Sequence, residues 1–85
     1  MKWQEVQERF PDEWIVFEAV KAHSEDGHRC VDELIVIDRY NDSLDAMRRY
    51  KELHRDNPQK EYYFLHTSRR ELRFQEIWAG VKGLR

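Results

Sequence analysis

Residues 14–38 read WIVFEAVKAHSEDGHRCVDELIVID, and how this stretch is read decides the fold. Trp14 to His23 is rich in β-branched and aromatic residues, which suit a pleated, half-buried strand. Ser24-Glu25-Asp26-Gly27 is a turn cluster, and Asp-Gly is a strong hairpin signal because the tight turn needs positive φ at its centre. Arg29 to Asp38 is then the return strand, ending in the apolar run Leu34-Ile35-Val36-Ile37. With Asp26 and Gly27 as the turn, Phe17 falls opposite Val36, Ala19 opposite Leu34 and Lys21 opposite Asp32, the last a favourable opposite-charge pair. Ile15, Phe17, Leu34 and Val36 make one face of the hairpin base apolar, and Trp14, Val16, Ile35 and Ile37 the other. The base is therefore expected to be covered on both faces, with the tip reaching into solvent.

Outward from the hairpin, the N-terminal flank carries Trp3, Val6 and Phe10 at spacings of three and four, which predicts an amphipathic helix over residues 2–10 stopped by Pro11. So short a helix is marginal alone and must dock through those three side chains. On the other flank, Asn41-Asp42-Ser43 starts a second helix, with Asp42 as the cap. It runs to about Asp56, where Asn57-Pro58 ends it. Ala46, Met47, Tyr50, Leu53 and His54 share its expected core face, and Leu44, Arg48, Lys51 and Arg55 form the adjacent stripe. Glu61 to Thr67 reads as a third strand. Ser68-Arg69-Arg70-Glu71 fits a capping box or tight loop, and Leu72 to Val81 reads as a fourth strand. The expected fold is α+β, residues 1–85 forming a single domain. An N-terminal helix precedes ββαββ, with a four-stranded, mainly antiparallel sheet and one long helix packed on a face. A crossover through that helix sets strand three beside strand one.

The chain has 85 residues, with 15 Lys and Arg against 17 Asp and Glu. No 18-residue apolar run exists that would read as a membrane helix. There is no basic-then-apolar leader, and the single Cys30 cannot pair internally, so a reducing, cytoplasmic setting is expected. Leu, Ile, Val and Phe number 20, above the range of disordered chains. Residues 1–45 hold 12 acids and 5 bases, whereas residues 46–85 hold 5 acids and 10 bases. The near-neutral total thus conceals two oppositely charged halves.

The opening Trp3-x-Glu5-Val6, then Phe10-Pro11-x-x-Trp14-Ile15-Val16, resembles a group of small bacterial proteins with a Phe/Tyr-Pro-x-x-Trp strand entry. Asn41-Asp42-Ser43 and His66-Thr67-Ser68-Arg69 match that group as well. The resemblance implies a bacterial, cytoplasmic α+β domain. It implies no activity and no functional residues.

Chemistry could sit first at the hairpin tip. In the Asp-Gly register His23 faces Cys30, and His28, Asp32 and Glu25 share that face. Imidazole, thiolate and carboxylate are competent zinc ligands, so His23, His28 and Cys30, with Asp32 or Glu25, form a candidate metal site. Against it, the spacing matches no recognised zinc pattern, and solvated tips are commonly polar. Cys30 activated by His23 would need an oxyanion-binding loop, which the sequence lacks. Asp38, Asp42 and Asp45 read better as a strand end and a helix start than as a cation site. The second candidate is cationic: Arg48, Lys51 and Arg55 on the helix, with Arg69, Arg70 and Arg73 after the third strand. Phosphate binding needs several such charges on one surface, and the acids interleaved along the helix weigh against it.

No nucleotide fingerprint or catalytic constellation is present, so no cofactor is expected. The expected function is a small protein-interaction or self-associating module without catalytic activity. Three features motivate it: no catalytic constellation, a thin, aromatic core, and opposite charge in the two halves; a four-stranded open sheet also has two edges to manage, one of which another chain could cover. A monomer whose acidic hairpin meets its own basic half is weighed beside it. A nucleic-acid-binding accessory protein using the basic half is the alternative, and metal-dependent activity at the hairpin tip comes third.

Overall fold

A computed structural model describes residues 1–75 of the chain. The fold is α+β: two helices and a curled, antiparallel sheet of four strands. The elements are α1 (Trp3–Arg9), β1 (Trp14–Glu25), β2 (His28–Tyr40), α2 (Ser43–Asp56), β3 (Tyr62–His66) and β4 (Arg73–Gln75). Spatially the strands run β3-β1-β2-β4, so the connection through α2 carries the chain across β1. The part of the expected fourth strand beyond Gln75 lies outside the described residues.

The hairpin forms where the turn chemistry places it. Asp26 and Gly27 both take positive φ, 52° and 74°, and Glu25 pairs with His28. Phe17 faces Val36, Ala19 faces Leu34 and His23 faces Cys30, as the turn dictates. The ladder nevertheless slips three times, and this overturns one expected pair. Lys21 lies opposite Glu33 rather than Asp32, because Val20 and Asp32 are each left without a cross-strand partner. Such bulges bend and twist a strand while re-aiming its side chains. Here the outcome is that the Asp32 carboxylate meets the His23 ring, 2.7 Å away.

The sheet is covered twice, by one helix on each face. Consecutive strand residues point to opposite faces, so Tyr63 and Phe64 report on different sides. On one side Phe17 meets Trp3 of α1 and Tyr63, with ring centroids 6.3 and 5.6 Å apart. Val6, Ile15, Phe17, Leu34 and Leu72 are the buried centre of that side. On the other side Phe64 meets Trp14 at 6.4 Å and Tyr50 of α2 at 5.4 Å. Val16, Ala46 and Tyr62 are buried as well.

The helices begin and end for local reasons. The Glu5 carboxylate accepts the Lys2 N–H at 2.9 Å, and the Asp42 carboxylate accepts that of Leu44 at 3.0 Å. At the far end of α2 the Asn57 N–H donates to the Leu53 carbonyl. The core stripe differs from expectation at its edge. His54 is exposed, stacked on Tyr50, while Arg49 is partly buried, with its Nη1 on Glu52 and its Nε 3.9 Å from Asp38. Of the two readings of residues 68–71, a helical turn or a tight loop, the structure has the loop, with a turn at 67–68 and a bend at 70.

Candidate interaction edge

The hydrogen-bond parity of β3 can be read from its ends. Thr67 N–H donates to the Glu13 carbonyl at 2.9 Å, and Ala19 N–H donates to the Glu61 carbonyl at 2.8 Å. Glu61 and Thr67 therefore direct their backbone groups toward β1, and so do Tyr63 and Leu65, opposite Phe17 and Ile15. Tyr62, Phe64 and His66 must then direct theirs away from the sheet. The His66 carbonyl accepts the Arg69 N–H, closing the turn that follows. Among the described residues, the N–H and C=O of Tyr62 and Phe64 and the N–H of His66 have no partner.

This edge lacks the usual protections. Sheet edges are commonly blunted by Lys, Pro, inward charges or bulges. Tyr62-Tyr63-Phe64-Leu65-His66 contains no Pro and no Asp, Glu, Lys or Arg, and its register with β1 is unbroken over all five residues. The opposite side of the sheet contrasts with it. On β2 the Met1 ammonium donates to the Leu34 carbonyl at 2.7 Å, and Leu34 N–H returns a bond to the Met1 carbonyl at 2.9 Å. Val31 N–H donates to the Leu72 carbonyl, and β4 pairs with His28–Cys30. One edge is stitched by the chain's own segments, while the other has no partner strand among the described residues.

The edge is held rigidly. At the entry to β3, Glu61 accepts two bonds from Arg29, at 3.0 and 2.8 Å, and a third from the Tyr63 hydroxyl. The Arg29 guanidinium holds the Glu61 carboxyl below its ordinary pKa, against the opposing effect of burial. Burial, reinforced by the bond to Glu61, pushes the Tyr63 phenol well above its ordinary value. Tyr63 stacks on Phe74 with centroids 4.7 Å apart. At the exit, Thr67 is buried and exchanges bonds with Glu13 through both its backbone and its hydroxyl.

The expected metal set is not assembled. Among the described residues no group of three or more His, Cys, Asp or Glu side chains is placed to hold a metal ion. His23 instead sits between Asp32 at 2.7 Å and Glu25 at 3.1 Å, one carboxylate on each ring nitrogen. The bond to Asp32, then that to Glu25, raises its pKa, favouring an imidazolium that has no lone pair for a metal. His28 turns its Nδ1 to the Asp26 carbonyl at 3.0 Å, and Cys30 is half-buried, paired across the sheet with Arg73 of β4.

The six cationic residues do not form one surface. Arg48, Lys51 and Arg55 lie on α2, with Arg48 paired to Asp45 and Arg55 to Asp56. Arg69 lies over Phe74, 4.8 Å from its ring centroid, and its carbonyl accepts bonds from Trp3 and Gln7 of α1. The turn carrying Arg69 and Arg70 therefore belongs to the α1 face, across the sheet from α2. Arg73 follows on β4, with its guanidinium 3.4 Å from His28.

One constellation has no local sequence signal. His66 Nδ1 is 2.8 Å from the Ser68 hydroxyl, and its Nε2 is 3.4 Å from Asp12, a residue in the left-handed region at φ 57°. The order Ser-His-Asp invites comparison with a nucleophile relay. However, Ser68 N–H also points at Nδ1, at 3.2 Å, so the hydroxyl is held in a two-residue turn on an exposed surface. The role visible here is to tie the loop before β1 to the loop after β3. A recess of about 310 Å³ lies at the other end of β3, lined by Asp56, Asn57, Pro58, Gln59 and Lys60.

No helix is long and apolar enough to cross a membrane among the described residues. No family model matches the chain, and neither the curated proteins nor the solved structures contain a match.

Proposed function

We propose that this chain is a protein-interaction module that acts without catalysis, taking an extended segment of polypeptide onto the free edge of β3. One observation carries the reading: the outward N–H and C=O groups of Tyr62 and Phe64, unpartnered among the described residues on a strand with no charge or proline. Strand addition at such an edge gains affinity from main-chain bonds and selectivity from alternate side chains. The aromatic residues behind the edge support it, since Phe64 packs between Trp14 and Tyr50 and anchors the strand to α2. A single cysteine, which cannot pair within the chain, fits a reducing, cytoplasmic setting.

Panning a library of random extended peptides against the protein tests this. Selected peptides should slow amide exchange at Tyr62, Phe64 and His66 and should lose binding in His66→Pro. That variant removes an outward donor at an edge position where proline is tolerated, together with the ring's contacts to Asp12 and Ser68, so circular dichroism must first show the native fold intact. Peptides that instead perturb the α2 arginines, or a library that yields no binder, would contradict the reading.

A further inference from the structure

The edge of β3 is complementary to itself. We infer that its occupant is a second copy of this chain, paired antiparallel about a two-fold axis at Phe64, so that the two sheets become one; this rests on the edge-docking reading above. An isologous contact requires that one patch satisfy its own image. With Phe64 opposite its counterpart, Tyr62 falls opposite the partner's His66, and all three residues have their backbone groups on the outward side. Every outward N–H and C=O on the edge then meets an acceptor or donor. A one-residue slip would set outward groups against inward ones and break the ladder.

The flanking chemistry agrees with this register. Glu61 would face the partner's Thr67, Lys60 the partner's Ser68 and Gln59 the partner's Arg69, so no like charges are opposed. On the α1 side, half-buried Tyr63 and Leu65 each face the other's image, extending the aromatic row of Phe17, Tyr63 and Phe74. On the other side, α2 packs over β3 through Tyr50 and Phe64, so the two-fold lays the two α2 helices side by side and antiparallel. The acidic first turn at Asp45 then lies by the basic last turn at His54 and Arg55 of the partner subunit. That arrangement also opposes the helix dipoles favourably.

A contact of one five-residue strand and one helix flank falls at the small end of stable interfaces. A dissociation constant on the order of 10–100 μM is expected.

Sedimentation velocity of the full chain from about 1 to 500 μM should show monomer passing to dimer across that range. In the dimer, amide exchange at Tyr62, Phe64 and His66 should slow with protein concentration while Tyr63 and Leu65, already bonded to β1, stay unchanged. Replacing Phe64 by N-methylphenylalanine keeps every side chain and every bond to β1. It should weaken the dimer at least tenfold. A monomer at every concentration overturns the inference, as does a dimer that leaves these amides unprotected and tolerates the N-methyl group. If the protein is monomeric while selected peptides still protect the edge, the docking reading stands and only the choice of occupant fails. If neither binds the edge, both fall. Should the N-methyl chain not fold, the concentration dependence of exchange in the unmodified protein decides alone.

Discussion

Glu61 joins β3 to the hairpin through a three-group network, and a double-mutant cycle on Tyr63→Phe and Glu61→Gln measures its strength. The Tyr63 hydroxyl donates to a carboxylate that Arg29 already grips with two bonds. A hydrogen bond to a charged group contributes about 1.5–3 kcal/mol when well shielded. The Glu61 side chain is 29% exposed, so solvent screening reduces this, and a coupling of about 1 kcal/mol is expected. For a domain of this size the urea slope is about 1 kcal/mol/M, so Tyr63→Phe should lower the unfolding midpoint by roughly 1 M without changing the slope. Tryptophan fluorescence reports the transition, since Trp14 and Trp3 both pack against the sheet. The pH dependence follows from linkage. The folded pKa of Glu61 is lowered from 4.5 by Arg29, so its contribution is complete above 4.5 and disappears as pH falls through the lower folded value. The coupling with Tyr63 should vanish over the same acid range. A coupling within about 0.3 kcal/mol of zero at neutral pH would refute the network as a stabilising unit. So would a coupling that persists after Glu61 has been protonated.

Phe17→Ala should cost about 3–5 kcal/mol, because the ring is fully buried between Trp3, Tyr63 and Val36 and neither helix can collapse onto the gap. Calorimetry should show most of the domain's stability gone. Asp42→Ala removes the acceptor of the Leu44 N–H and should destabilise by about 1 kcal/mol, with helicity lost first at the start of α2. His23 has a raised pKa, so its contribution is complete below its ordinary 6.5 and disappears as pH rises through the folded value. NMR titration should place the His23 midpoint above that of the same ring in Asp32→Asn, and equal midpoints would show that the carboxylate does not hold the ring.

Much of the fold was legible because its signals are local. Asp26-Gly27 specifies a tight turn by backbone sterics alone, and most of the hairpin ladder follows from it by counting, except where bulges shift pairs such as Lys21–Glu33. Trp3, Val6 and Phe10 mark α1 by spacing, and Asp42 marks α2 by its capping oxygen. The unbroken apolar run Trp14–Phe17 leads to the expectation of a hairpin base covered on both faces, and α1 and α2 supply that cover. The candidate metal and cation clusters were read by the same local logic, and there the tertiary arrangement differs from it. His23 and Asp32 do meet, but as an ion pair made by a bulge, while the arginines of α2 and those of the β3–β4 turn are separated by the thickness of the sheet.

The sequence by itself determined where the chain turns, where its helices start and which residues are apolar, since each depends on neighbours within a few positions. Tertiary structure alone decided the rest. It set β3 against β1, closed Arg29 on Glu61, and placed Met1 and Leu72 on the β2 edge while leaving the Tyr62 and Phe64 backbone without a partner among the described residues. Backbone hydrogen-bonding groups are the same in every residue, so no side-chain pattern records which edge is left unpaired. Only the assembled sheet reveals it.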